Sequence, residues 1–156
     1  MTTDREPSVP PVLILGIGNT LLSDDGVGLE LLELVRPGYE SDPRVEFVDG
    51  GTQGLMLLGL LERRRSLLLL DAVQQGGAPG SVHLVREPDR ILTPRGFGAH
   101  GGNASELLAT ARLLSGLPSR VHLVGVEPEE FRTRIGLSPA VREALPVAAA
   151  LARMVL

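Results

Sequence analysis

Four carboxylates stand at points where an apolar segment of the chain ends. Asp24 and Asp25 lie in the stretch LILGIGNTLLSDDGVGLELL (13–32), Asp49 ends an alternating segment, and Asp71 follows four consecutive leucines. A carboxylate that emerges from apolar surroundings needs a partner for its charge. The partners expected for Asp71 are an imidazole, an arginine or a metal ion.

The imidazole with the most suitable setting is that of His100. It lies in the Gly-rich segment TPRGFGAHGG (93–102), where no bulky neighbour shields it. An accessible imidazole beside carboxylates suits a proton transfer or a divalent ion such as nickel, zinc or manganese. The alternative is structural: Arg95 neutralises Asp71, and His100 only precedes a helix that Asn103 caps.

A nucleotide site is a second interpretation of the first motif. Gly16 and Gly18 follow a strand and Asp49 ends the next one, as in a dinucleotide fingerprint, but Leu21 replaces the third glycine. The two adjacent aspartates would also face the pyrophosphate, and like charges about 4 Å apart cost about 4 kcal/mol at an effective dielectric of about 20. A structural role is favoured for these residues singly: one aspartate of the pair caps the next helix, and Asp49 lies in a turn.

The composition excludes several kinds of chemistry. The 156 residues include no cysteine, and all 15 basic residues are arginine. Thiol nucleophiles, disulfides, thiolate metal sites, a P-loop lysine and Schiff-base chemistry are therefore excluded. A net charge of −4, with three phenylalanines and one tyrosine as the only aromatic residues, argues against nucleic-acid binding. The three consecutive arginines at 63–65 are expected to end a helix, where they meet its dipole.

Short apolar runs alternate with segments of helical periodicity. Strands are expected over residues 12–17, 44–49, 66–73, 81–87 and 120–126, and helices over 26–35, 53–65, 103–116 and 138–156. This alternation predicts a three-layer α/β fold with a mostly parallel sheet. Ligands of such sheets bind beyond the carboxyl ends of the strands, so the carboxylates and His100 are expected to meet there.

Several residues within these elements carry expectations of their own. Thr52 and Ser138 are expected to be helix N-caps. Pro146 is expected to bend or divide the last helix, because proline removes a hydrogen bond there. His83 and His122 lie in alternating strand patterns, which predicts surface or structural roles.

The chain is expected to form one domain. Residues 1–10 (MTTDREPSVP) are polar and are expected to be a flexible tail. Residues 11–156 are expected to form a single α/β domain. The tail lacks the apolar region of a signal peptide, and no apolar run approaches the roughly 20 residues that cross a bilayer. A cytoplasmic protein without membrane contact is expected.

The order of the motifs resembles that of a known family. LGIGNTLLSDDGVG, VDGGTQG, LLLLDAV, HLVGVEPE and GLSPAV follow one another as in the nickel–iron hydrogenase maturation endopeptidases, and the resemblance extends over about residues 12–156. It implies an enzyme that removes the C-terminal extension of a hydrogenase large-subunit precursor after nickel insertion. It also implies a phosphorylase/hydrolase-like α/β/α sandwich with a twisted, mixed five-stranded sheet, in which one strand is antiparallel.

The resemblance also implies a site. The metal-contacting positions of the family fall on Asp25, Asp71 and His100 in this chain. The two aspartates are also expected to be catalytic, together with Asp49, which matches the acid thought to act at the cleavage site. The expected substrate-binding loop consists of the next three residues, Gly50, Gly51 and Thr52. Many relatives carry Glu where this chain has Asp25, so the ligand geometry must adjust by one methylene.

The implied nickel arrives with the substrate, and no organic cofactor is expected. The expected partner is the nickel-carrying large-subunit precursor; nucleic-acid and membrane partners are not expected, and the protein is expected to be a monomer. A water activated by the ion or by a carboxylate such as Asp49 would attack the peptide. Alternatives are a nickel-sensing assembly chaperone without protease activity and a nucleotide-binding α/β module. A metallo-aminopeptidase is disfavoured, because no second set of metal ligands is visible.

Overall fold

A five-stranded sheet lies at the centre of the protein. The computed structural model describes residues 8–86, 103–114 and 116–156. In this part of the chain the strands are β1 (Val12–Ile17), β2 (Val45–Gly51), β3 (Ser66–Ala72), β4 (Val82–Val85) and β5 (Arg120–Val126). Their order is β2-β1-β3-β5-β4, and β4 alone runs antiparallel to its neighbour. The expected mixed sheet is confirmed.

Helices cover both faces of the sheet. The α-helices are α1 (Val27–Val35), α2 (Asn103–Leu114) and α3 (Pro139–Met154), and short 3₁₀ helices span Ser23–Gly26 and Gly54–Leu61. Successive side chains of a strand point to opposite faces, so Leu68 and Leu70 pack with α1 and α3. Leu67 and Leu69 pack with α2 and the second 3₁₀ helix. Each buried leucine contributes about 1.5–3 kcal/mol, and the expected three-layer sandwich is confirmed.

The expected helix over 53–65 is wrong in type and length. The segment Gly54–Leu61 is a 3₁₀ helix, and Gln53, not Thr52, precedes it without a side-chain cap bond. Two of its residues are glycine, which costs about 1 kcal/mol each in an α-helix. The prediction that an arginine of 63–65 ends this helix is confirmed, because Arg64 Nε donates to the carbonyl oxygen of Leu60 at 2.9 Å.

The last helix differs from expectation in two respects. Pro146 does not divide it, because α3 runs without interruption over Pro139–Met154. Ser138 occupies the expected N-cap position, but no side-chain cap bond forms there. Its hydroxyl donates instead to the buried carboxylate of Asp24 at 2.8 Å. None of the described helices is long and apolar enough to cross a bilayer.

The carboxyl ends of the parallel strands lie side by side at one end of the sheet, which we call the rim. Asp25 follows β1, Asp49 lies in β2, Asp71 lies in β3 and Glu127 follows β5. The fold therefore gathers acidic residues at the end where sheets of this class bind ligands.

Candidate active site

Asp71 is a buried carboxylate in β3. Its side chain is 3% exposed, and its Oδ1 accepts a hydrogen bond from the amide N–H of Ala72 at 2.8 Å. Burial raises the pKa of this carboxyl well above its usual range, and the neighbouring charge of Asp25 raises it further. The Ala72 hydrogen bond opposes this shift of the pKa without cancelling it.

Asp25 lies in the 3₁₀ helix after β1 and is only 6% exposed. Its Oδ2 accepts from the amide N–H of Asn19 at 3.0 Å. Because β1 and β3 are adjacent strands, the two buried carboxylates at their carboxyl ends lie in one environment, where the charge of Asp25 raises the pKa of Asp71. The structure thus brings together two of the three predicted metal ligands, and such a pair is destabilised until a proton or a cation neutralises it.

Two glycines allow the backbone around Asp25 and the start of α1 to pack closely against the sheet. A Cβ atom on Gly28 would lie 2.2 Å from the carbonyl oxygen of Leu70 and 2.5 Å from that of Ile17. A Cβ on Gly18, whose φ is +145°, would lie 2.0 Å from the carbonyl oxygen of Asp25. These positions have room only for hydrogen, so the start of α1 sits directly against β1 and β3. The glycines of the first motif therefore serve backbone packing, and this packing needs no phosphate ligand.

Asp24 has a structural role that differs from the expected helix cap. The residue before α1 is Gly26, and no side chain caps that helix. Asp24 is fully buried and accepts four hydrogen bonds from a distant loop. The donors are the amides of Glu129 and Glu130, at 2.9 and 3.2 Å, and the amide and hydroxyl of Ser138, at 2.7 and 2.8 Å. Asp24 therefore joins the segment after β1 to the segment before α3.

Asp49 stands apart from the buried pair. It is exposed and is paired in register with Gly16, which is itself paired with Leu70, the neighbour of Asp71. Two strand spacings, about 10 Å, therefore separate Asp49 from β3. Because register partners point to the same face, Asp49 faces α1, whereas Asp71 faces the α2 side. Asp49 borders an open cavity of about 550 Å³ that α1 and α3 also line.

The predicted substrate-binding loop is anchored to β1. Gly50 is buried, and a Cβ there would lie 2.9 Å from the carbonyl oxygen of Gly16. Gly51 has a φ of +48°, and its carbonyl oxygen accepts from the amide of Gly18 at 3.0 Å. Thr52 is exposed at the end of this loop. The loop is thus held beside the rim, and its role toward substrate stays a prediction.

The third predicted ligand, His100, lies outside the described residues, and so does Arg95, the alternative partner of Asp71. Among residues 8–86, 103–114 and 116–156, no group of three or more His, Asp or Glu side chains could hold a metal ion. The described part of the predicted site is therefore a pair of buried carboxylates. Oxygen ligands of this kind, completed by an imidazole, suit a borderline divalent ion.

The sequence reasoning missed Glu127 at the rim. This carboxylate is 3% exposed, and its Oε1 accepts from the amides of Gln75 and Gly77, at 2.8 and 3.1 Å. His83 Nε2 lies 2.9 Å from the same oxygen, which confirms the structural role expected for this histidine. Glu127 holds in place the segment that follows β3. The signal was present, because Glu127 directly follows an apolar strand as Asp71 follows four leucines.

Comparisons with known proteins show which family this sequence matches. A family model described as hydrogenase maturation protease matches residues 29–154. The chain is 35% identical to the hydrogenase 2 maturation protease of Escherichia coli (strain K12) over 132 residues, which cover 83% of this chain and 80% of that protein. It is 35% identical to the hydrogenase expression/formation protein HoxM of Azotobacter vinelandii over 149 residues, 88% of this chain and 72% of that protein.

A solved structure shows the same fold. The hydrogenase maturating endopeptidase HybD from E. coli superposes with a TM-score of 0.77 at 32% sequence identity, covering 93% of this chain and 91% of that one. The [NiFe] hydrogenase maturation protease HybD from Thermococcus kodakarensis, at 23% identity, superposes with a TM-score of 0.73 over 92% of this chain and 97% of that one. At that identity the second likeness concerns the fold alone.

Proposed function

This chain belongs to the hydrogenase maturation proteases, and we propose that it removes the C-terminal extension of a nickel–iron hydrogenase large-subunit precursor after nickel insertion. The membership makes the chain a protease of hydrogenase maturation. The finer assignment is supported by one observation above all, the buried pair Asp25 and Asp71 at the rim. Two carboxylates held in one buried environment are suited to a divalent ion that the substrate brings.

In this proposal nickel arrives bound to the substrate, and the enzyme recognises the ion directly. Asp25, Asp71 and His100 contact the ion in the precursor and so place the scissile bond at the rim. A ligand favours a state only through its differential affinity for that state. Without nickel the two carboxylates repel each other and make no favourable contact with the precursor. The nickel-free precursor is therefore not positioned for cleavage and is left uncut.

The cleavage itself requires an activated water, since the chain has no cysteine and no lysine. The water oxygen adds to the scissile carbonyl carbon, the C–N bond breaks, and a proton from the water passes to the leaving amine. The separation of about 10 Å between Asp49 and β3 favours activation at the ion over activation by Asp49. Asp49 and the loop of Gly50, Gly51 and Thr52 are then assigned to holding the peptide.

Mass spectrometry of the large subunit tests this function directly. We expect the purified protein to shorten nickel-loaded precursor and to leave nickel-free precursor at full mass, because only the loaded form engages the carboxylate pair. Precursor incubated without enzyme, and precursor loaded with zinc, serve as controls. Equal cleavage of both forms would end the nickel-reading proposal. Stable binding of the loaded precursor without any change in its mass would favour the assembly chaperone instead.

We also propose that the protein acts as a monomer in the cytoplasm. A single copy supplies all the rim residues that the proposal uses. Light scattering coupled to size-exclusion chromatography is expected to give one species near the chain mass of 16.6 kDa. A stable dimer at micromolar concentration would contradict this expectation.

A further inference from the structure

Two large apolar side chains stand exposed beside the buried carboxylates. Leu21, four residues before Asp25, is 58% exposed, and Ile135, near the start of α3, is 78% exposed. They belong to two segments joined by an isolated bridge between Leu22 and Arg134. We call residues 21–23 and 132–135 together the paired segments.

Hydrogen bonds fix the backbone of the paired segments. The amide of Ser23 donates to the carbonyl oxygen of Arg134 at 2.8 Å, and the amide of Arg134 donates to that of Leu21 at 3.0 Å. The Ser23 hydroxyl donates to the carbonyl oxygen of Glu130 at 3.1 Å and accepts from the amide of Arg132 at 2.9 Å. These bonds hold Ser23 at a φ of +42°, which is uncommon for a residue other than glycine.

A rigid backbone that displays apolar side chains is prepared for binding. Leu21 and Ile135 cannot fold inward without breaking the hydrogen bonds described above. Exposed apolar area costs about 25 cal/mol per Å² relative to burial, and a contact made on a fixed backbone avoids most of the ordering cost of association. Side chains of this kind, bordered by arginine, are typical of the centre of a protein–protein interface.

The charges around the paired segments indicate the kind of partner. Arg132 and Arg134, with side chains 79% and 53% exposed, both pair with Glu130, at 3.1 and 3.0 Å. Two guanidinium groups share one carboxylate, and the adjacent Glu129 is also exposed, so this border presents arginine donors among acidic groups. The exposed guanidinium groups complement an apolar patch that is bordered by acidic side chains.

We propose that the paired segments dock the folded body of the substrate protein, away from the peptide that is cut. The inference rests on the proposed function, which makes the substrate a protein. The docking surface is continuous with the site, because Asp25 lies two residues beyond Ser23 in the same 3₁₀ helix. Docking on Leu21 and Ile135 therefore brings the substrate's metal to the rim at the same time.

The test is a double variant, Leu21→Asp with Ile135→Asp, assayed on nickel-loaded precursor. We expect the KM and the Kd for the precursor to rise at least about tenfold, because loss of about 1.4 kcal/mol of binding is tenfold in affinity. The kcat is expected to stay within about twofold of the wild-type value, since neither side chain touches the reacting atoms.

The matched control is Leu113→Asp. Leu113 is 84% exposed at the end of α2. This end of α2 leads into the start of β5, at the end of the sheet opposite the rim. This variant is expected to keep the wild-type KM and Kd. Unchanged melting temperatures in all variants show that the fold is intact; if the double variant melts early, Leu21→Ser with Ile135→Ser takes its place.

The outcomes separate the docking inference from the proposed function. A KM and Kd within about twofold of wild type, or an equal loss of binding in Leu113→Asp, overturns the docking surface and leaves the cleavage proposal standing. If the wild-type protein binds precursor without cutting it and the double variant loses that binding, the docking surface stands and the proposed cleavage fails.

Discussion

Replacing Asp71 with asparagine is expected to abolish processing and to make the metal-free protein more stable. Asparagine keeps the oxygen that accepts from the Ala72 amide but removes the charge that burial and Asp25 oppose. If Asp71 is one of the two buried metal ligands that we propose, its loss is expected to lower the processing rate at least about 100-fold, since even outer-shell changes cost about 10–100-fold. The melting temperature is expected to rise by at least about 2 °C near neutral pH.

The pH dependence of this stabilisation follows from the direction of the pKa shift. The pKa of Asp71 is higher in the folded protein than its unfolded value of about 3.9. Between these two pKa values the native state binds more protons, so stability falls as pH rises. Below that interval the carboxyl is neutral in both states and the substitution has little effect. The gain of Asp71→Asn over wild type is therefore expected to be larger at pH 8 than at pH 5.

Melting curves of both proteins in chelator, with processing assays alongside, check this expectation. His100→Ala is the companion variant: it is expected to abolish processing while leaving the melting temperature nearly unchanged, because the Gly-rich sequence around His100 predicts little packing. If Asp71→Asn processes precursor at the wild-type rate, Asp71 is not a ligand of the nickel. If it lowers the melting temperature at pH 8, the description of Asp71 as an unfavourable buried charge is wrong.

Asp24→Ala is expected to destabilise the protein by about 3–5 kcal/mol. The substitution leaves four donors without their acceptor, two buried ones on Ser138 and two part-buried amides at Glu129 and Glu130. Each buried unsatisfied donor costs about 1–3 kcal/mol, and water recovers part of the cost of the others. Against a total stability of about 5–15 kcal/mol, this loss brings the fold close to its threshold. Urea denaturation followed by circular dichroism gives the free energy of unfolding.

Two further variants define the cause of that loss. Asp24→Asn keeps an oxygen that can accept from the Ser138 amide, so a smaller loss of about 1–2 kcal/mol is expected. Glu33→Ala removes an exposed carboxylate with one surface partner, Arg36, and is expected to change stability by less than about 0.5 kcal/mol. A loss below 1 kcal/mol in Asp24→Ala, by the same estimate, would contradict the role given to this carboxylate.

Local patterns were sufficient to predict the strands of the sheet and the positions of Asp49 and Asp71, whereas the antiparallel strand was implied only by the resemblance and Glu127 was missed. The four leucines before Asp71 indicate a strand buried on both faces, and the end of that strand places the carboxylate at the rim. Hydrophobic alternation likewise located β2 and hence Asp49. These features depend on residues close together in the chain, which is why they can be read without coordinates.

Contacts between distant parts of the chain could not be predicted in this way. Local spacing predicts that Asp24 is a helix cap. The groups that donate hydrogen bonds to it lie more than 100 residues away, and no spacing rule connects Asp24 with them. The 3₁₀ geometry of Gly54–Leu61 depends on packing against α2 and the sheet, which overrides helix propensity. The exposure of Leu21 likewise depends on the bridge between the neighbouring Leu22 and Arg134, in the segment before α3.

The close packing of Gly28 against Ile17 and Leu70 limits how the geometry of the proposed ion site can change. Main-chain atoms fix the span between the two acidic positions, so repacking of surrounding side chains cannot widen or narrow it. The remaining variable is the reach of the acids themselves, such as the extra methylene that glutamate would add at position 25. In the proposed site, discrimination among metals of different radius is therefore expected to depend on the length of the acidic side chain.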